Sequence, residues 1–134
     1  MARKTKAEAE QTRLRILKAA LGLFAAKGYE RTTFEDVARR IRLSKGAVYW
    51  HFKSKPELLS ALVEHMSARH VADLRKMLPP ADSLEGLKAH MVARARFVVG
   101  TPDNRKFFHM MLLLDWPSAK FATLKQRLRH LENG

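Results

Sequence analysis

The chain has 134 residues, enough for one domain or for a small domain and part of a second. Its 46% hydrophobic content is too high for a disordered chain, and its lack of cysteine excludes disulfides, thiol nucleophiles and cysteine-ligated metal sites. With 26 Lys and Arg against 13 Asp and Glu the net charge is +13, which asks for an anionic partner: nucleic acid, an acidic membrane face or an acidic protein.

The pattern reads helical throughout. Leu14, Leu17, Leu21 and Phe24, with Ile16, Ala20 and Leu23 beside them, form the i, i+3, i+4 stripe of a first helix. Gly28 suits its C-terminal end, where a left-handed backbone is cheapest for glycine. Thr33 is placed to cap a second helix, with Asp36 at the third helical position and Val37, Ala38 and Ile41 turned inward. Ser44 caps a short third helix that buries Val48 and Phe52. Ser54-Lys55-Pro56-Glu57 starts a fourth helix, which runs to about Met77 before Pro79-Pro80.

Asp82 or Ser83 opens a fifth helix ending near Gly100. Thr101-Pro102-Asp103 reads as a turn into a sixth, from about Arg105 to Leu114, and Trp116-Pro117 separates it from a seventh over residues 118–131. No period-two alternation of β-branched residues survives a scan, so the expected fold class is all-α. The apolar stretch from Phe107 to Trp116 is half the length of a membrane span, and no apolar segment follows the basic N-terminus. The expectation is a cytoplasmic protein with neither signal peptide nor membrane anchor.

Charge is concentrated at one end. Residues 1–56 hold 14 Lys and Arg against 5 acids, whereas residues 57–134 hold 12 against 8. A basic block followed by a near-neutral one suggests two tasks.

Three short helices, the second and third joined by a three-residue turn, describe a helix-turn-helix over about residues 33–52. The run from Thr33 through Asp36-Val37-Ala38, Ser44-Lys45-Gly46-Ala47-Val48 and Tyr49-Trp50-His51-Phe52 to Lys53-Ser54-Lys55-Pro56-Glu57-Leu58 resembles the DNA-binding domain of the TetR family of bacterial repressors. The opening Met1-Ala2-Arg3-Lys4-Thr5-Lys6, the Thr12-Arg13 pair and the Tyr49–Phe52 tetrad are most similar to AcrR-type repressors of multidrug efflux pumps. The resemblance implies a DNA-binding domain at 10–70 and a partial helical ligand-binding and dimerisation domain at 71–134. It further implies a homodimer in the full-length protein, bound to double-stranded operator DNA and released by a small apolar or cationic effector.

The residue types suit that task. Lys45 and Gly46 begin the recognition helix and permit close backbone approach, with phosphate favoured at the helix start. Ala47 can meet a thymine methyl, while Tyr49, Trp50 and His51 can reach backbone or base edges. Lys53 and Lys55 flank the fourth helix where a phosphate would meet both lysine charge and helix dipole. By the resemblance, Thr33, Ser44, Tyr49, His51 and Lys55 contact phosphates, and Lys45, Ala47 and Trp50 face the groove. Val37, Ala38, Ile41, Leu43, Val48 and Phe52 are core.

Where the family has Ala-Gly at the turn, this chain has Ile41-Arg42. Arginine at a positive φ costs on the order of 1 kcal/mol, and Arg42 is expected to point toward solvent near the DNA.

In the second half, Met91, Phe97, Phe107, Phe108, Met111, Trp116 and Phe121 supply adaptable walls for an apolar effector, or simply a core. His90 and His109 lack partners at ligand spacing, so no metal or other cofactor is expected. No paired carboxylates, phosphate loop or nucleophile elbow points to an enzyme. The resembled family continues for two further long helices, so the chain reads as a fragment or as a member that dimerises differently. The competing reading is a basic interaction protein that holds nucleic acid or an acidic membrane without sequence preference.

Overall fold

The computed structural model describes residues 5–77, 79, 81–114, 126, 129 and 130. Its elements are α1 (Lys6–Lys27), α2 (Phe34–Arg40), α3 (Lys45–His51), α4 (Lys55–Met77), α5 (Leu84–Val99) and α6 (Pro102–Leu113), with no strand among the described residues. Packing divides the chain into two compact units, Met1–Leu62 and Val63–Gly134, and α4 contributes residues to both.

In the first unit, each helix start is fixed by a side chain that takes over an orphan backbone donor. Thr5 and Glu8 form a reciprocal capping box on α1, and Thr33 and Asp36 form another on α2. The Ser44 hydroxyl accepts from the Ala47 N–H at 3.1 Å, and the Ser54 hydroxyl accepts from the Glu57 N–H at 3.2 Å. Ile16, Leu17, Ala20, Leu21 and Phe24 of α1 are buried, as are Val37 and Ala38, Val48 and Phe52, and Leu58, Leu59 and Leu62, and together they are the core of this unit. Gly22 is buried in this packing, and a Cβ there would stand 3.4 Å from the Arg40 guanidinium, an ordinary van der Waals contact.

Two details differ from expectation. Leu14 lies on the open side of α1, because the stripe that meets the other helices runs through Ile16, Leu17, Ala20, Leu21 and Phe24. Gly28 takes φ 92, ψ 152, a positive φ outside the left-handed helical well and in a region essentially reserved for glycine. Its N–H still closes α1 on the Phe24 carbonyl at 3.1 Å.

In the second unit, Ser83 caps α5 and Gly100 ends it, where a Cβ would come within 2.8 Å of the Arg96 carbonyl oxygen. Helix α6 begins three residues before the expected Arg105. Thr101 is its N-cap and Pro102 its first residue, where proline's missing N–H costs nothing. Phe107, Met110 and Leu114 are buried there, together with Val63 and Met66. The seventh helix lies outside the described residues except at Gln126, Arg129 and His130, which are helical.

Candidate nucleic-acid interface

The link between α2 and α3 is a Schellman turn. The Leu43 N–H donates to the Ala38 carbonyl at 3.0 Å and the Arg42 N–H to the Arg39 carbonyl at 3.3 Å. This pairing requires a left-handed residue just beyond the helix, and Arg42 supplies it at φ 57. It is the one non-glycine positive φ among the described residues, with a backbone cost of about 1 kcal/mol. The Arg42 side chain is exposed, as expected.

The turn delivers α3 with one face anchored and the other open. Val48 and Phe52 are buried, and Tyr49 packs on Phe34 with ring centroids 4.6 Å apart. Ser44, Lys45, Gly46, Tyr49 and Trp50 are exposed, and Ala47 and His51 are half-buried. Trp50 is 68% exposed, and the His51 ring stands edge-on to it at 4.7 Å. A Cβ on Gly46 would meet nothing nearer than the Ser44 hydroxyl at 3.8 Å, so the fold itself does not demand a glycine there. An open first turn lets another backbone come close.

The lysines are not equivalent. Lys45 Nζ donates to Glu35 at 3.1 Å and lies 5.7 Å from the Tyr49 ring centroid; the Glu35 contact holds its pKa above the ordinary lysine value. Lys53 Nζ donates to the Tyr49 and Trp50 carbonyls at 3.1 and 3.2 Å, closing the C-terminal end of α3 with a positive charge. Lys55 turns its ammonium to the Tyr29 and Glu30 carbonyls, at 2.8 and 3.2 Å, and sits 4.5 Å over the Tyr29 ring. Burial, with the Glu30 charge adding, pushes the Tyr29 phenol up to about 12. Lys55 therefore braces the loop after α1. Asp36, whose carboxylate accepts from the Thr33 N–H and from Lys27, is lowered to about 2 by those contacts, the Thr33 backbone bond foremost.

The expected effector residues separate. Phe97, Phe107 and Phe108 gather around His70, which no local motif marks, with ring centroids at 5.1, 5.0 and 5.4 Å. His70 and Asn104 are buried and joined by a 2.7 Å hydrogen bond. The spacing Leu59, Val63, Met66, His70 on α4 carried that signal, since it is the heptad spacing of a buried face. Met111 is half-buried, whereas Met91 is 62% exposed on α5, a face that packing leaves open. Trp116 and Phe121 lie outside the described residues. No group of His, Asp or Glu among the described residues could hold a metal ion.

A buried three-helix unit presenting a short, open third helix beyond a tight turn defines the helix-turn-helix class. Residues 16–62 match the N-terminal domain of the bacterial regulatory proteins of the tetR family. TtgW, an uncharacterized HTH-type transcriptional regulator of Pseudomonas putida, is 37% identical over 112 residues, which are 84% of this chain and 81% of TtgW. The chain belongs to the TetR family. The HTH-type transcriptional regulator SrpR, also of Pseudomonas putida, is 38% identical over 112 residues, again 84% of this chain, which spans about half (51%) of SrpR. NalD, the secondary repressor of the MexAB-OprM multidrug efflux pump in Pseudomonas aeruginosa, shares the fold. Its TM-score is 0.70 at 24% identity, covering 96% of this chain and 64% of NalD. No helix among the described residues is long and apolar enough to cross a membrane.

Proposed function

We propose that this chain is the operator-binding part of a cytoplasmic transcriptional repressor of multidrug efflux genes, without enzymatic activity. The observation that carries the reading is the open face of α3, where Lys45, Gly46, Trp50 and half-buried Ala47 stand together beyond the Arg42 turn. Lys45, Ala47 and Trp50 face the major groove. Thr33, Arg42, Ser44, Tyr49, His51 and Lys53 meet phosphates, and Lys55 acts through the N-terminus of α4, which it helps to fix. The DNA-binding domain is residues 10–70, and residues 71–134 begin the ligand-binding domain. The efflux assignment draws on the Tyr49-Trp50-His51-Phe52 tetrad, and NalD, with its shared fold, serves as precedent.

The effector is a small apolar or cationic molecule, and the aromatic rings around His70 are the walls it would meet. Helix α4 supplies both Lys55 and His70, so a ligand that prefers one placement of that helix biases DNA affinity, and operator must weaken effector binding by the same factor. The full-length protein acts as a homodimer on half-sites about 34–36 Å apart.

Selection from a random-sequence duplex library tests the reading. A repressor enriches a pseudo-palindrome and prefers it to random DNA by about 10³ or more. Equal affinity for every duplex, with a steep salt dependence, would replace this reading by nonspecific attraction of the +13 charge.

A further inference from the structure

We infer that Arg15, on the exposed side of α1, is a positioning residue for the DNA-reading helix, because its Nη2 donates to the Ile41 carbonyl at 2.8 Å and so pins the one strained peptide of the α2–α3 turn. This assignment deepens the DNA-binding reading above, on which its affinity arm rests. Its exchange arm rests on the fold alone.

The peptide that joins Ile41 to Arg42 sets the direction in which α3 leaves α2. Its orientation is fixed by ψ of Ile41 and φ of Arg42, and the latter is held at 57°. An arginine gains by relaxing to negative φ, and that relaxation must rotate this peptide. Two hydrogen bonds oppose the rotation, one at each end of the same unit. The amide side donates to the Arg39 carbonyl at 3.3 Å, and the carbonyl side accepts from Arg15 at 2.8 Å. The first bond is local and is formed by α2 itself. The second comes from 26 residues away, on a separate helix, so it references the turn to the body of the unit.

The Leu43 N–H bond to the Ala38 carbonyl depends on the same conformation. Once the Ile41–Arg42 peptide rotates, Leu43 loses that partner and Ser44, the cap of α3, moves with it. Arg15 thus acts through the turn, without touching DNA. A glycine at position 42 would hold the positive φ without strain and would make the tether redundant.

That redundancy is the test. Residue-resolved amide exchange of the intact chain, without DNA, should show the Leu43 amide opening about threefold to tenfold more often in Arg15→Ala. Adding Arg42→Gly to Arg15→Ala should return Leu43 to within about twofold of the unaltered chain. Amides at the centre of α1 should not change, which separates positioning from general loss of stability. On the duplex that the unaltered chain enriches from a random library, Arg15→Ala should weaken affinity about threefold to tenfold with Arg42 present, and scarcely at all with Arg42→Gly. Unchanged Leu43 exchange in Arg15→Ala, or equal acceleration in both backgrounds, would overturn the assignment. If the unaltered chain enriches no duplex, the DNA-binding reading fails, and Leu43 exchange still decides for or against the tether.

Discussion

His70 Nε2 and Asn104 Oδ1 are 2.7 Å apart, and the Asn104 side-chain nitrogen donates to the Phe97 carbonyl at 2.9 Å. With its side-chain nitrogen turned to the Phe97 carbonyl, Asn104 presents oxygen to the imidazole, so Nε2 carries a hydrogen. The Asn104 backbone N–H is engaged too, donating to the Thr101 hydroxyl at 3.1 Å. An α6 N-cap, the last turn of α5 and the middle of α4 thus converge on one buried histidine.

This arrangement makes the second unit sensitive to mild acid. Burial lowers the His70 pKa below 6.5 despite the opposing Asn104 hydrogen bond, with Arg69 adding to the fall and Asp73 opposing it. Between the ordinary histidine value and the lower folded one, the unfolded chain binds a proton that the folded chain refuses, so stability falls as pH drops below about 6.5. Thermal unfolding followed from pH 7.5 to 5.5 should show the decline, and His70→Gln should remove this part of it. An identical pH profile in the variant would refute the assignment.

At the other end of the chain the caps should act separately. Thr33→Ala removes the acceptor for the Asp36 N–H and should cost about 1 kcal/mol of stability by urea titration at pH 7. Asp36 has the opposite pH sense from His70. Its carboxyl is lowered from 3.8 to about 2, so its contribution is present above pH 3.8 and is lost as pH falls toward 2. Asp36→Asn should therefore flatten the acid limb of the stability curve.

On the proposed reading, Glu35 competes with DNA for Lys45. Their 3.1 Å ion pair occupies one of the three ammonium donors and offsets its charge. Glu35→Gln should strengthen binding to a selected duplex about twofold to fivefold, mainly through association rate at low salt. Lys45→Ala should relax sequence preference, whereas Tyr49→Ala should weaken all duplexes alike. Fluorescence anisotropy on selected and scrambled duplexes distinguishes these outcomes.

Packing sets the scale within the second unit. Phe107 is 3% exposed against His70 and Phe108, so Phe107→Ala should cost about 3–5 kcal/mol. Leu112, 84% exposed on the same helix, should tolerate alanine within about 0.5 kcal/mol. Chemical denaturation of the two variants under one set of conditions provides the comparison.

The sequence was most legible where a bond closes within one helical turn. Thr33, Ser44 and Ser83 cap as their types and spacing imply, because donor and acceptor lie three residues apart. Arg42 was legible for a related reason, since a turn that normally takes glycine imposes its φ on whatever residue stands there. Thr101-Pro102 reads as a turn by residue type, although a proline that follows a threonine cap is equally a helix start. What escaped the sequence is nonlocal. Arg15 finds Ile41 across 26 residues, His70 finds Asn104 across 34, and Lys55 prefers the Tyr29 carbonyl to open solvent. No local pattern ranks such partners, because each depends on how the helices meet.

The open indole of Trp50 would, on the proposed reading, leave a calorimetric trace of DNA binding. Phosphate contacts draw their strength from released counterions and bury little apolar surface. A 68% exposed tryptophan that becomes covered adds a negative heat-capacity change, on the order of 0.05–0.1 kcal/mol/K for one such ring. Attachment through lysine and arginine alone would lack this increment, and replacing Trp50 with serine would remove it. The temperature dependence of the binding enthalpy therefore separates a helix seated in a groove from a charged surface resting on the outside of the duplex.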